Sequence, residues 1–214
     1  MDVPNIIKKV EKSFDFTIST EQIEQLSAYA AHLRSWSART RLISRNDRNH
    51  VWERHLVDCA SLVPRIPSSG SFLDLGSGAG LPGIPVAILL PDLRVTLLEP
   101  ARMKALFLAE MARSLQLHNV HCVKSRAEDL SSDPSYAQTF VVATARAVAP
   151  LPKLWSLIQP LLSPTGLFVA MKGPDPLSEF SGQMPSDIEA EVEEITLPIT
   201  NPQRSFVKIR QCFT

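Results

Sequence analysis

A cluster of glycines follows a short apolar run that ends in Asp74, and its members are Gly76, Gly78, Gly80 and Gly83. Glycine lets the backbone turn sharply and approach a ligand with no Cβ in the way. In doubly wound folds, ligands bind where a buried strand ends and a helix begins, and a helix can begin here at Ile84. The segment therefore predicts a cofactor-binding loop.

Two classes of cofactor fit this loop. Residues 78–83 match the dinucleotide pattern G-x-G-x-x-G, with Glu99 placed 21 residues beyond Gly78. The overlapping spacing from Asp74 suits S-adenosylmethionine instead. A pyrophosphate prefers helix N–H groups without a nearby carboxylate, whereas an ammonium and a sulfonium tolerate or favour Asp74. We therefore predict S-adenosylmethionine, with Glu99 accepting hydrogen bonds from the ribose hydroxyls. The predicted loop contacts are Asp74, Gly76, Gly78, Gly80, Leu81 and Glu99.

The runs that surround the loop predict a doubly wound α/β sheet. Short β-rich runs alternate with segments that can form helices, and they lie at 71–75, 94–98, 120–123, 140–144 and 167–171. The predicted helices between them include 101–117 and 151–162. Two further runs, 192–197 and 206–211, leave little room for a crossover helix, which predicts an antiparallel ending. The fold expected is a seven-stranded Rossmann-like sheet of the class I methyltransferase type.

A helical extension is expected ahead of the sheet. Residues 19–36 predict a helix with a capping box formed by Ser19 and Gln22, and residues around 48–63 predict a second helix. We therefore divide the chain into an extension, 1–66, and a methyltransferase domain, 67–214. The proline-rich stretch 174–185 predicts a loop.

Composition is that of a globular protein of the cytoplasm. Of the 214 residues, 44% are hydrophobic and 21% charged, and no apolar run reaches the ~18–20 residues of a membrane span. The charged N-terminus does not resemble a signal peptide. Three widely spaced cysteines and five unclustered histidines predict reduced thiols and no metal site.

Charge is unevenly distributed, although the net charge of zero by itself argues against a nucleic-acid partner. Residues 32–55 contain six arginines and only two acids, Asp47 and Glu53. Residues 175–194 contain seven acids and no lysine or arginine. A solvated helix face would also explain the basic segment. The arginines that we predict to contact RNA phosphates, without base preference, are Arg39, Arg41 and Arg45.

Several motifs resemble the bacterial 16S ribosomal RNA guanine-N7 methyltransferases, also called small-subunit rRNA methyltransferase G or glucose-inhibited division protein B. They are DLGSGAGLPGIP from Asp74, SRAED from Ser125, ARAVAP from Ala145, MKG from Met171 and RSFVKI from Arg204. Trp36 and the HLVD segment from His55 also resemble family landmarks, so the likeness spans nearly the whole chain. Ser37 and Arg41 depart from the family by replacing asparagines.

The resemblance implies the substrate, a guanosine of 16S rRNA near the decoding centre, in naked RNA or in the small subunit. Guanine N7 offers a lone pair and has no proton to lose, so catalysis is mainly the positioning of two reactants. In place of the motifs of exocyclic-amine and carbon methyltransferases, the chain has Ala145-Arg146-Ala147. By resemblance, Arg146 and Arg126 are catalytic, Arg146, Ala127 and Glu128 bind cofactor, and Arg126, Lys172 and Arg204 lie near the RNA.

The same sequence features also fit other functions. A methyltransferase of a protein or small molecule would use the same glycine loop, and a non-catalytic nucleotide-binding protein would keep the same fold. His55 and Asp58 lie one helical turn apart and are expected to form a structural pair. Trp36 is expected in the core. A monomer is the default expectation for the oligomeric state.

Overall fold

The computed structural model describes residues 2–180 and 187–212. The strands of this part are β1 Gly70–Leu75, β2 Leu93–Leu98, β3 Val120–Val123, β4 Phe140–Arg146, β5 Leu162–Lys172, β6 Ile188–Thr196 and β7 Gln203–Gln211. They form one sheet in the order β3-β2-β1-β4-β5-β7-β6. β1 to β5 pair in parallel, and β7 pairs antiparallel to both β5 and β6. The predicted seven-stranded sheet with an antiparallel last strand is confirmed.

Helices cover the sheet and precede it. The α-helices in the described residues are α1 Val3–Phe14, α2 Thr20–Thr40, α3 Val57–Ala60, α4 Gly83–Leu89, α5 Arg102–Ser114, α6 Ala127–Ser132 and α7 Leu151–Ile158. The capping box of Ser19 and Gln22 is present at the start of α2, as predicted. The helix predicted for 151–162 ends at Ile158, because a 3₁₀ turn at Gln159–Leu161 leads into β5.

The helix predicted over 48–63 is not regular, so that prediction was wrong in detail. A π-helical turn, Trp52–Leu56, precedes the single α-helical turn of α3, and a 3₁₀ turn follows at Val63–Arg65. All residues from 57 to 60 are buried, because α3 packs against both α1 and α4. A segment buried on several sides does not show the amphipathic periodicity on which the prediction relied.

Two further elements differ from the sequence-based expectations. The helix α1 was not predicted as a separate element, although it buries Ile6, Ile7, Val10 and Phe14. Part of the proline-rich stretch forms a 3₁₀ helix, Pro176–Phe180, and residues 181–186 of that stretch lie outside the described residues.

The helical extension shares a hydrophobic core with one face of the sheet. Residues of α1 to α3, among them Leu33 and Val57, belong to the same buried cluster as Phe72 and Val95 of the sheet. A buried hydrogen bond ties the two parts together, since the Tyr29 hydroxyl donates to the carbonyl oxygen of Ala79 at 2.6 Å. The extension therefore supports the glycine loop directly.

Replacing Tyr29 by phenylalanine is expected to lower the free energy of unfolding by about 1–3 kcal/mol, because the buried Ala79 carbonyl loses its donor. Urea unfolding measures this loss. Tyr136→Phe is the matched control, since the Tyr136 hydroxyl has no hydrogen bond to any of the residues that the structure describes and the ring stacks on Phe140. Equal stability of the two variants would contradict the expectation.

Candidate functional site

The glycine loop follows β1 at the carboxyl edge of the sheet. Gly76, Gly78 and Gly80 have φ angles of 74°, 58° and 83°, which belong to the left-handed region that favours glycine. A Cβ on Gly80 would lie 2.6 Å from Cγ1 of Ile84, so the loop packs tightly against the start of α4. At Gly78 the nearest atom to such a Cβ is 3.7 Å away, which leaves room on the open side of the loop.

Glu99, just beyond β2, holds the loop in place. Its carboxylate oxygens accept hydrogen bonds from the backbone N–H of Gly78, at 2.9 Å, and of Ala101, at 2.8 Å. Only 5% of the residue is exposed. Because each carboxylate oxygen has two lone pairs, Glu99 keeps the capacity to accept further hydrogen bonds from a ligand.

Asp74 lies at the end of β1, beneath the loop. One carboxylate oxygen accepts a hydrogen bond from the N–H of Gly83 at 3.0 Å, and only 1% of the residue is exposed. Burial raises the pKa of Asp74 to about 7, against the lowering effects of that hydrogen bond and of Arg146. A carboxyl with such a pKa changes charge near neutral pH, which is common at functional sites.

Three cations predicted from the sequence lie together on neighbouring strands. Arg146 ends β4, Lys172 ends β5, and Arg204 is near the start of the antiparallel β7, so all three lie at the same edge of the sheet. They line a cleft of about 720 Å³. Arg126 does not line this cleft; it precedes α6, beyond β3 on the far side of the glycine loop.

Asp58 joins two of these cations. Its two carboxylate oxygens accept hydrogen bonds from Arg146, at 3.0 Å, and from Arg204, at 2.8 Å. The Asp58 side chain is only 3% exposed. The predicted structural pair of His55 and Asp58 was therefore wrong, because the π-helical turn changes the register between them and Asp58 turns to the arginines.

The other charges of the cleft are paired as well. Lys172 donates to both carboxylate oxygens of Glu179, at 2.8 and 3.0 Å, and to the carbonyl oxygen of Ala149. Arg54 forms an ion pair with Asp47 at 2.7 Å. His55 lies 3.7 Å from the same carboxylate, and burial and Arg146 lower the pKa of His55 to about 4. Its imidazole is therefore neutral at physiological pH.

The remaining predicted site residues are spread around the loop. Ala127 and Glu128 begin α6, where Glu128 is exposed and pairs with Lys153 at 3.2 Å. Leu81 is buried beneath the loop. Arg39, Arg41 and Arg45 are exposed near the end of α2. Trp36, predicted in the core, is partly buried with its ring edge-on to Phe107.

Sequence reasoning missed the cleft roles of Asp58 and Glu179. Both are acids that neutralise predicted cations. The partners of Asp58 are distant in the chain, since Arg146 lies 88 residues and Arg204 lies 146 residues away, whereas Glu179 is seven residues from Lys172. The one signal available for Asp58 was its place in an apolar stretch, since a buried acid needs a cation.

Residues 2–180 and 187–212 contain neither a metal-binding cluster nor a membrane-spanning helix. No group of histidine, cysteine, aspartate or glutamate side chains there could hold a metal ion. None of the helices in the same ranges is long and apolar enough to cross a membrane.

Comparison with known proteins identifies the family. The model of the family described as rRNA small subunit methyltransferase G matches residues 22–207. Ribosomal RNA small subunit methyltransferase G of Nocardioides sp. is 39% identical over 171 residues, which are 80% of this chain and 64% of that protein. The protein of the same name from Roseiflexus sp. is 36% identical over 208 residues, covering 93% of this chain and 88% of that one. This chain thus spans just under two thirds of the first relative and most of the second.

A solved structure supports the fold assignment. A putative S-adenosyl-L-methionine-dependent methyltransferase from Methanococcus maripaludis superposes with a TM-score of 0.57 at 12% identity, covering 86% of this chain and 93% of that one. At this identity the likeness concerns the fold alone. Together with the family match over most of the sequence, it leads to one conclusion. The chain belongs to the rRNA small subunit methyltransferase G family of S-adenosylmethionine-dependent methyltransferases.

Proposed function

We propose that this protein transfers a methyl group from S-adenosylmethionine to N7 of a guanosine in 16S ribosomal RNA, near the decoding centre. The observation that carries the proposal is the cleft beside the glycine loop, which is large enough for a nucleotide and lined by Arg54, Arg146, Lys172 and Arg204. Cations at such a site attract the phosphates of RNA, and arginine can also donate to O6 of guanine, which leaves the N7 lone pair free to react.

The residues of the loop fit the cofactor. Three glycines with positive φ leave the backbone open to close approach, and the buried Glu99 can accept hydrogen bonds from ribose hydroxyls. Asp74, when ionised, supplies negative charge beneath a cationic ligand. We assign the cofactor to Asp74, Gly76, Gly78, Gly80, Leu81, Glu99, Ala127, Glu128 and Arg146. When bound, S-adenosylmethionine supplies an electrophilic methyl group on its sulfonium.

Positioning is the main task of the protein in this reaction. Guanine N7 carries a lone pair, so no residue has to remove a proton before the methyl group is transferred. Orientation of two reactants is worth about 7–11 kcal/mol of barrier. We assign this role to Arg146, with Arg126 as the second catalytic residue on the cofactor side, and the RNA contacts to Arg126, Lys172, Arg204, Arg39, Arg41 and Arg45.

The test is to map N7-methylguanosine in 16S rRNA from cells with and without the gene. We expect one position to lose its methyl group in the deletion strain and to regain it on complementation. In vitro, radioactive methyl transfer is compared among naked 16S rRNA, small subunits, protein and small metabolites. Transfer to protein or metabolites with none to RNA would overturn the proposal.

We further propose that the protein acts as a monomer in the cytoplasm. Reduced thiols would suit that compartment, since the described cysteines Cys59, Cys122 and Cys212 are unpaired. Light scattering at the concentrations used for the methylation assay tests the oligomeric state, and cell fractionation tests the compartment. A stable dimer or a membrane-bound fraction would contradict this part of the proposal.

Cofactor affinity is expected to depend on pH through Asp74. A cationic ligand favours the ionised carboxylate, so binding is coupled to proton release and strengthens as the pH rises towards the Asp74 pKa of about 7. The gain is at most about tenfold per pH unit and levels off above neutral pH. Calorimetric titration across this pH range measures it, and the Asp74→Asn variant should give a flat profile.

Stability should show the opposite dependence in the cofactor-free protein. The ordinary pKa of Asp74 is 3.8, so between about pH 4 and 7 the folded state holds a proton that the unfolded state releases. The free energy of unfolding therefore falls as the pH rises through this window and is constant with respect to Asp74 above it. If wild type and Asp74→Asn showed the same pH dependence of cofactor affinity and of the free energy of unfolding, both expectations would be contradicted.

A further inference from the structure

One carboxylate in the cleft, that of Asp58, accepts hydrogen bonds from two guanidinium groups. Asp58 contacts Arg146 at 3.0 Å and Arg204 at 2.8 Å, and through them it connects the helical extension with β4 and β7. The Asp58 side chain is 3% exposed, whereas those of Arg146 and Arg204 are 19% and 31% exposed. The acid is thus buried behind two cations that face the cleft.

The charges of the cleft do not balance. Among the described residues that line it, four cations face three acids, because Arg54 pairs with Asp47 and Lys172 with Glu179, while Arg146 and Arg204 share Asp58. His55 adds no charge, because burial lowers its pKa to about 4. The excess positive charge therefore lies at the arginine pair and suits one further anion, such as an RNA phosphate.

The local backbone gives an independent indication. The π-helical turn Trp52–Leu56 ends immediately before the helical turn that carries Asp58. Such turns are rare in proteins, and many of those that occur lie at functional sites. Here the turn brings an acid of the extension to the end of β4.

We propose that Asp58 is a positioning residue that holds Arg146 and Arg204 together as one anion-binding pair for the RNA. This inference rests on the proposed function and deepens it. The carboxylate fixes the direction of both guanidinium groups towards the cleft and limits the excess charge to one. The pair therefore binds a phosphate of the substrate in a defined position, and the target base is presented to the cofactor in a fixed orientation.

The role differs from that of a structural ion pair in a measurable way. Asp58→Asn removes one negative charge from the cleft, so RNA binding is expected to become as tight or tighter and its dependence on salt steeper by about one counterion. The arginines lose their common anchor, so kcat is expected to fall by at least about 30-fold, since a small misplacement of reactants is costly. Lower kcat with unchanged or lower KM for the RNA is the signature.

The experiment compares wild type, Asp58→Asn, Asp58→Glu, Arg204→Gln and Asp58→Asn/Arg204→Gln on small subunits. RNA binding is measured at several salt concentrations. Asp58→Glu restores the charge and should return the salt dependence to that of wild type. In the Arg204→Gln background, Asp58→Asn should lower kcat less than it does in wild type, because the two residues act together. Glu110→Gln, which breaks an exposed ion pair on α5, is the control.

Two results would overturn the inference. One is a wild-type kcat for Asp58→Asn. The other is a parallel loss of cofactor binding, RNA binding and thermal stability in both Asp58→Asn and Asp58→Glu, which would make Asp58 a structural residue only. If wild type itself fails to methylate RNA, the proposed function fails; the salt dependence of RNA binding still tests Asp58.

Discussion

Replacing Arg146 by alanine is expected to slow methyl transfer to small ribosomal subunits by at least about 100-fold, which is the scale for misplaced reactants. Arg146 ends β4 at the cofactor edge of the sheet and lines the cleft, and its guanidinium is held by Asp58 at 3.0 Å. The substitution removes a positive charge from the cleft and leaves the buried Asp58 with one partner instead of two. Single-turnover kinetics with saturating cofactor measure the effect.

Arg146→Lys separates charge from geometry. Lysine keeps the positive charge but lacks the planar fork that can hold a carboxylate and an RNA group together, so most of the loss should remain. Arg113→Ala is the matched control, because Arg113 is an exposed arginine of α5 whose ion pair among the described residues is with Glu110. Full activity of Arg146→Ala and of Arg204→Ala would remove the basis for placing the reaction in this cleft.

The sheet was predictable because its central strands are short apolar runs that end at glycine, proline or charged residues. β3 was predicted to the residue, and β1 and β2 to within one residue. β5 begins at Leu162, five residues before the predicted start. Residues 162–166 were not predicted as strand because Ser163, Pro164 and Gly166 are typical of turns. The start of β5 pairs with β4 through a shift of register between Phe140 and Val142.

The candidate site was predictable where it depends on local sequence. The glycine loop, Glu99 and the strand-end cations each follow a strand, so their place at the carboxyl edge could be inferred from order alone. Asp58 could not be inferred in this way. Its partners lie 88 and 146 residues away, and the π-helical turn before it invalidates the spacing of a regular helix.

The extension, residues 1–66, contributes side chains to the candidate site. Tyr29 and Asp58 belong to the extension, yet one hydrogen-bonds to the glycine loop and the other holds Arg146 and Arg204. Both contacts are made by buried side chains. A protein truncated to 67–214 would therefore lose support for the cofactor loop and for the cleft at once, even though all seven described strands lie within that range.

Replacing Glu99 by glutamine is expected to weaken S-adenosylmethionine binding by about 100-fold. Glu99 accepts hydrogen bonds from the N–H of Gly78 and of Ala101, one on each carboxylate oxygen. In glutamine one of these oxygens becomes an NH₂ group, which cannot accept and opposes an N–H donor. The ribose hydroxyls also lose a charged acceptor, and a hydrogen bond to a charged group is worth about 1.5–3 kcal/mol. Two such losses sum to at least about 3 kcal/mol, and a hundredfold change in affinity corresponds to about 2.8 kcal/mol.

Calorimetric titration of S-adenosylhomocysteine, which has the same ribose, measures the loss without turnover. Glu110→Gln on the neighbouring helix is the matched control, because the same substitution there affects exposed contacts with Arg113 and Ser114, away from the loop. Because both variants lose one negative charge, comparing them separates a local effect on the loop from a general effect of charge. If Glu99→Gln binds within about threefold of wild type, Glu99 supports the backbone alone and the ribose is held elsewhere.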